Sequence, residues 1–209
     1  MKILLHPTYC PNIASFAAMV QHDVIWEVAD NYQKQTYRNR AYICTDRGKH
    51  MLNIPIQHVG KAKGKQLYKN VKLDNSYAWQ RQHWRTLETA YRTSPFFEFY
   101  EDEIAPLYTK SFTYLLDFNL ESIAVLCECL QIDMPTEKTI SFEKISTLLD
   151  GRTLANAKTA YAFTQEEYTQ VFQSKHGFVE NTSVLDLLFN EGTNALSYLQ
   201  QQNLSPLDA

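Results

Sequence analysis

The first 28 residues read as a strand, a proline-bounded loop, a helix and a second strand, with no glycine among them. Lys2–Leu5 is a short apolar run with β-branched Ile3, as a buried strand requires. Pro7 and Pro11 confine residues 6–11 to an irregular loop. Asn12 is a good N-cap for a helix to about Gln21 that gathers Ile13, Phe16, Ala17 and Val20 on one face. Residues 23–28 alternate as a second strand. This order is the outline of a βαβ unit, with the strand order left open. No glycine precedes Gly48, so a G-x-G-x-x-G dinucleotide turn after the first strand is excluded. Walker A, H-E-x-x-H and paired C-x-x-C patterns are absent as well.

Beyond this unit, residues 38–44 and 50–56 read as a hairpin around residues 45–49. Residues 60–65 form a polar cationic loop, and 70–73 another short strand. From Ser76 the period becomes helical, with Trp79, His83, Leu87, Ala90 and Tyr91 on one stripe and Pro95 past its end. A second helix is expected over 98–116, broken by 117–119. Asn119 would then cap a third helix bearing Ile123, Ala124, Cys127 and Leu130. Residues 140–142 suit a strand or a helix start. Thr164 to Glu167 is a capping box for a helix to about Gln173. Ser183 opens a further helix, Gly192 suits its C′ position, and Thr193 caps a last helix through Gln200. The expected fold class is α+β: a small mixed sheet, mainly N-terminal, packed by C-terminal helices, with a three-layer α/β arrangement as the second choice. No linker divides the chain, so residues 1–209 are read as one domain.

The chain of 209 residues is long enough for one core without disulfides. Its four cysteines, with no secretory leader, suit free thiols and a cytoplasmic setting. No apolar run reaches the length of a transmembrane helix. The net charge of −3 hides a division: residues 33–92 carry 13 Lys/Arg against three acids, whereas residues 93–209 carry 6 against 17. Such asymmetry concerns partners and surface potential more than fold.

Four constellations could carry chemistry. His6, Tyr9 and Cys10 sit where the first strand meets a helix N-terminus, a common ligand crevice; the alternative is a rigid turn with a packed Tyr. Lys34, Arg38 and Arg40 lie close together, and in an extended segment the two arginines share a face. They would hold phosphate or carboxylate, or else charge a solvated edge strand. Lys61, Lys63 and Lys65 are either a mobile phosphate-binding loop or a solvated hairpin tip. His83 sits on the apolar stripe with Trp79, as a proton-transfer group or a hydrogen-bonded core histidine. Cys127 and Cys129, two apart on a helix, do not share a face for a metal.

Several of these segments together resemble the WbqC-like family. That family opens with a strand and H-Q-P-x-Y-x-P, similar to Pro7, Tyr9 and Pro11; ungapped, its His falls on Leu5 and His6 takes the Gln place. Lys34, Tyr37, Asn39 and Arg40 are similar to its K-x-x-[WY]-x-N-R block. Trp79, His83, Tyr91, Pro95, Phe96 and Phe97 match a third block, and Ser183 through Gly192 a fourth. The resemblance implies a part in O-antigen or other surface-polysaccharide biosynthesis and a transferase of aminoacyl (glycyl) groups to an activated amino sugar. On that reading Lys34, Arg38 and Arg40 hold phosphates, with Tyr37 beside them in the substrate-binding block. Tyr9 and Asn39 orient the acceptor, and His83 moves the proton. No metal or cofactor is called for. The expected partner is an anionic small molecule such as a nucleotide sugar, and a homo-oligomer is compatible. The alternatives are a non-catalytic scaffold of glycan assembly and a nucleic-acid-binding module built on residues 33–92; the acidic half speaks against nucleic acid.

Overall fold

The opening unit forms as its sequence dictates. β1 (Lys2–Leu5) leads through the proline loop into α1 (Ile13–Gln21), and β2 (Asp23–Trp26) returns parallel to β1. The side chain of Asn12 caps α1 by accepting from the Ser15 amide at 2.8 Å. The computed structural model describes residues 1–57, 65–158, 165–204 and 207.

β3 (Arg40–Thr45) and β4 (Gly48–Asn53) form the expected hairpin as a separate two-stranded sheet. Its turn is tighter than the sequence suggests, since Thr45 pairs directly with Gly48. The Thr45 hydroxyl closes it, donating to the Gly48 carbonyl at 3.0 Å and accepting from the Arg47 amide at 3.3 Å. The strand starts two residues later than expected, so Arg38 lies in a turn ahead of β3 and does not share an extended face with Arg40. Lys61 and Lys63 of the cationic loop lie outside the described residues. Residues 70–73 make isolated bridges, Lys72 to Tyr114 and Leu73 to Ile56, rather than a strand ladder.

α2 (Trp79–Tyr91) buries the stripe read from the sequence: Trp79, His83, Leu87, Ala90 and Tyr91. The helix expected over 98–116 is instead α3 (Phe97–Ile104) and a 3₁₀ turn, Ala105–Tyr108, because Pro106 removes an amide that an α-helix needs. α4 (Leu115–Cys129) runs straight through 117–119. Asn119 is therefore no cap but a fully buried mid-helix residue. Residues 140–142 are irregular, with Ile140 almost wholly exposed.

The strand that sequence missed is β5 (Leu149–Asp150), only two residues long and paired in parallel with the other edge of β1. The main sheet is thus β2-β1-β5. Thr164 lies outside the described residues, but 165–170 are not helical, and α5 (Gln173–His176) is a single turn. Buried Gln165 and Gln170 explain this, since their side chains bond to Tyr198, Asp186 and backbone groups across the fold. α6 (Val184–Glu191) begins at Ser183, whose hydroxyl accepts from the Leu185 amide. Gly192 to Asn194 form a 3₁₀ turn, so Thr193 caps nothing, and α7 (Ala195–Gln201) follows. The fold is α+β. One buried cluster joins Ile3 and Ile13 to Leu52 of the hairpin and to Leu87, Leu126 and Leu188 of the helices.

Two glycines separate conformational from steric cost. At Gly192 (φ +55°) an added Cβ would lie 2.5 Å from the Phe96 ring. At Gly48 (φ +89°) it would meet nothing within 4 Å. Gly192→Ala is expected to cost about 2–3 kcal/mol and Gly48→Ala about 1 kcal/mol. Urea midpoints at unchanged slope measure both.

Candidate functional site

Because β1, β2 and β5 run in the same direction, their carboxyl ends line one edge of the sheet. The Leu5 carbonyl accepts from the Glu27 amide at 2.7 Å, and the Leu4 carbonyl from the Gly151 amide at 3.0 Å. These bonds set His6, Glu27 and Arg152 side by side beyond the strand ends. A second tie faces them: the Tyr37 amide donates to the Ala155 carbonyl at 2.8 Å. Between lies a crevice of about 260 Å³, at the position where open parallel sheets hold ligands.

Its floor is a buried charge cluster. Arg38 is 1% exposed, and its Nη2 donates to Asp30 Oδ2 at 3.0 Å and to His6 Nε2 at 2.7 Å. A guanidinium has only donors, so His6 Nε2 must be the acceptor. The ring proton then sits on Nδ1, which donates to the Glu27 carbonyl at 3.2 Å. Burial and the Arg38 charge hold His6 well below its ordinary pKa, so it is neutral. The Arg38 guanidinium also lies over the Tyr68 ring, 5.3 Å from its centroid. Asn119 secures this floor from behind, donating to the Arg38 carbonyl and to the Tyr68 hydroxyl, each at 2.6 Å. The Tyr68 hydroxyl in turn donates to the Pro7 carbonyl at 2.6 Å.

The rim is Asp150, Arg152 and Phe142. Arg152 grips Asp150 with two bonds, Nε at 2.8 Å and Nη2 at 2.6 Å, and these bonds hold the Asp150 carboxyl below its usual range. Its guanidinium also reaches the Glu143 carbonyl at 2.7 Å and covers the Phe142 ring. Glu27 lies behind, fully buried. Its Oε1 accepts from the Ala29 amide and the Thr139 hydroxyl, while its Oε2 has no hydrogen bond and is 3.8 Å from Arg152. Asp30 and Asp150 balance Arg38 and Arg152 on the walls, and Glu27 adds negative charge beneath. The crevice is therefore a dense array of hydrogen-bonding groups beside one aromatic face, without the excess of positive charge expected from the sequence.

The WbqC-like protein family matches the chain over residues 6–162, a span that takes in every residue lining the crevice. The chain belongs to this family. It is also 29% identical over 200 residues to an uncharacterized protein of Mycobacterium tuberculosis, Rv1507c, covering 81% of this chain and 84% of that one. No solved structure matches. No described helix is long and apolar enough to cross a membrane.

Of the residues singled out in this WbqC-like chain, Arg38 and His6 line the crevice. Tyr9 and His83 are together, but in the core. The wholly buried Tyr9 hydroxyl is 3.0 Å from His83 Nδ1 and 3.1 Å from the Tyr108 hydroxyl. Burial lowers His83 to about 4. Tyr37 packs edge-on against Tyr42, and Asn39 donates to the Ile54 carbonyl at 3.0 Å. Arg40 is half-buried, its Nε without a hydrogen bond, and Lys34 is exposed. Cys10 is buried and raised to about 12, which makes it inert as a thiolate. Asp30, Glu27, Asp150 and Arg152 were not singled out from sequence, and Asn119 only as a helix cap. For Glu27 and Asp30 a signal existed: acids at and just beyond the end of the second strand of a βαβ unit fall near its carboxyl edge.

Both buried histidines resist protonation in the folded state. The unfolded chain takes up a proton near the ordinary value of 6.5, whereas folded His83 does so only near 4. Stability is therefore lost as pH falls from about 6.5 towards 4, by on the order of 3 kcal/mol for His83 alone. His6 adds to the loss in the same direction. Urea unfolding at a series of pH values checks this, and His83→Gln should flatten the slope.

Proposed function

We propose that this protein is a transferase of bacterial surface-polysaccharide assembly that takes an amino sugar into the crevice at the carboxyl edge of the main sheet. The observation that carries the reading is the buried Arg38–Asp30–His6 floor, open to a small pocket rimmed by Asp150, Arg152 and Phe142. A volume of about 260 Å³ suits a single sugar ring and falls below the range of roughly 300–1,000 Å³ typical of drug-sized sites. Carboxylates and guanidinium groups on the walls match ring hydroxyls in pairs, and Phe142 offers an apolar face to the C–H side of the ring. Family membership supplies the pathway context.

The negative charge of Asp30 and Asp150, reinforced by buried Glu27, favours an amine in the acceptor. In aminoacyl transfer the amine nitrogen forms a bond to the activated carbonyl carbon, and the bond from that carbon to its leaving group breaks. Asp30 is the carboxylate set to take the amine proton. Arg38 and His6 hold Asp30 in position, and Lys34, exposed in the neighbouring loop, remains available to the phosphate of an activated sugar.

Isothermal titration with glucosamine and with a nucleotide-linked amino sugar tests the reading. Saturable binding is expected, with glucose weaker for want of the amine. Asp150→Asn should weaken binding by about tenfold, as the loss of one charge-assisted bond does. Mass spectrometry after incubation with an aminoacyl donor should show the acylated amino sugar. Binding with no product would favour the scaffold, and no binding of any amino sugar would overturn the crevice assignment.

A further inference from the structure

A second pocket, of about 410 Å³, opens where the tip of the β3–β4 hairpin meets α2, and it shares no lining residue with the crevice. Arg47 of the hairpin turn, His50 of β4 and Arg85 of α2 line it. Three of the seven arginines are ion-paired: Arg38 with Asp30, Arg92 with Glu88 and Glu101, Arg152 with Asp150. Arg47 and Arg85 differ. Both are exposed, and among the described residues neither guanidinium has a carboxylate within ion-pair distance or a side-chain hydrogen bond. Asp46 is the one carboxylate in the lining, so the pocket carries a net positive charge even with His50 neutral.

The other walls narrow the ligand class. Thr86 and Thr89 donate their hydroxyls to the Gln82 and Arg85 carbonyls of their own helix, each at 2.8 Å, and Thr45 donates to the Gly48 carbonyl, so the side-chain donors left for an anion are those of the arginines and His50. Ala90, 3% exposed, and Phe172 supply apolar surface. Phe172 is held there by the turn that follows it, because His176 Nε2 lies 2.9 Å from the Thr45 carbonyl of the hairpin. Two planar guanidinium groups suit the oxygens of a phosphate, and an aromatic side chain beside them suits a flat base.

We propose that this pocket binds a nucleoside diphosphate, with its phosphates on Arg47 and Arg85 and its base against Phe172. The assignment does not rest on the crevice being a sugar site.

Titration calorimetry on the full chain with UDP, ADP and pyrophosphate at low salt tests it. Saturable binding of at least one nucleotide is expected, with pyrophosphate weaker. Arg47→Ala and Arg85→Ala should each weaken nucleotide binding by about tenfold. Both residues are exposed, so melting temperatures should hold. Asp46→Asn should tighten binding, and Phe172→Ala should weaken the nucleotide while sparing pyrophosphate. Asp150→Asn, in the crevice, should leave nucleotide affinity unchanged, which separates failure here from failure there. No saturable binding, or affinity indifferent to both arginine variants, would overturn the proposal. Pyrophosphate binding as tightly as the nucleotides would remove the base from it. Tighter binding of an oligoribonucleotide than of either nucleotide would overturn it in favour of RNA.

Discussion

The guanidinium of Arg38 is carried into the interior, and the crevice is organised around meeting its requirements. Stripping water from a buried ion costs several kcal/mol, which is offset only by close partners with good geometry. Asp30 supplies the opposite charge at 3.0 Å, neutral His6 supplies a lone pair at 2.7 Å, and Tyr68 supplies a ring face. These partners come from the residue after β1, from the segment after β2 and from a 3₁₀ turn, Tyr68–Asn70, so one side chain ties three separate segments. The arrangement stays incompletely satisfied, since Arg38 Nε and Glu27 Oε2 are buried without hydrogen bonds. A core selected for stability alone would eliminate such atoms, and their persistence is more usual at sites of function.

The same requirement changes how the basic segment should be understood. Counted along the chain, residues 33–92 are strongly cationic. Among the described residues, part of that charge is met within the fold. Arg38 is neutralised inside, Arg92 is shared between two glutamates, and Lys49 rests over the Tyr42 ring. From the acidic half, Glu137 also reaches back across the chain to Lys2 at 2.8 Å. Exposed pairs of this kind add little stability, but they do erase local potential. Among the described residues, the hairpin–α2 pocket is one place where unpaired positive charge remains.

Legibility in the sequence followed the range of the interactions involved. The βαβ unit, the hairpin, the α2 stripe and the Ser183 start are set by contacts within a few residues, and each could be read from period and capping. β5 could not: two residues carry no period, and Leu149 is a strand only because β1 has a free edge to pair. Asn119 reads as a cap by its residue type, yet its partners are the Arg38 carbonyl and the Tyr68 hydroxyl, 81 and 51 residues away. Residues 165–170 look helical by local pattern, but Gln165 and Gln170 spend their amides on distant groups, and tertiary bonding overrides propensity. At the site, Arg38 was legible as a cation and not as a buried one. His6 was legible by its position at a strand end, while Arg152 and Asp150 became visible only once β5 was placed.

The loop over residues 6–11 links the crevice to α2. His6 at its start faces the crevice, whereas Tyr9 points to His83 on α2, the helix that carries Arg85. A loop in that position could pass a signal if it had two arrangements. Its chemistry argues for one. Pro7 and Pro11 fix two φ angles, the Pro7 carbonyl is held by Tyr68, and the Tyr9 amide donates to the Tyr37 carbonyl at 2.9 Å. Cys10 is kept at φ +37°, a left-handed conformation that costs a non-glycine residue about 1–2 kcal/mol, by a surround that includes the bond from the Ser183 hydroxyl to its carbonyl. A strained residue persists only where its neighbours over-determine it. The loop is thus a rigid link, with no second arrangement through which a change at the crevice could reach α2.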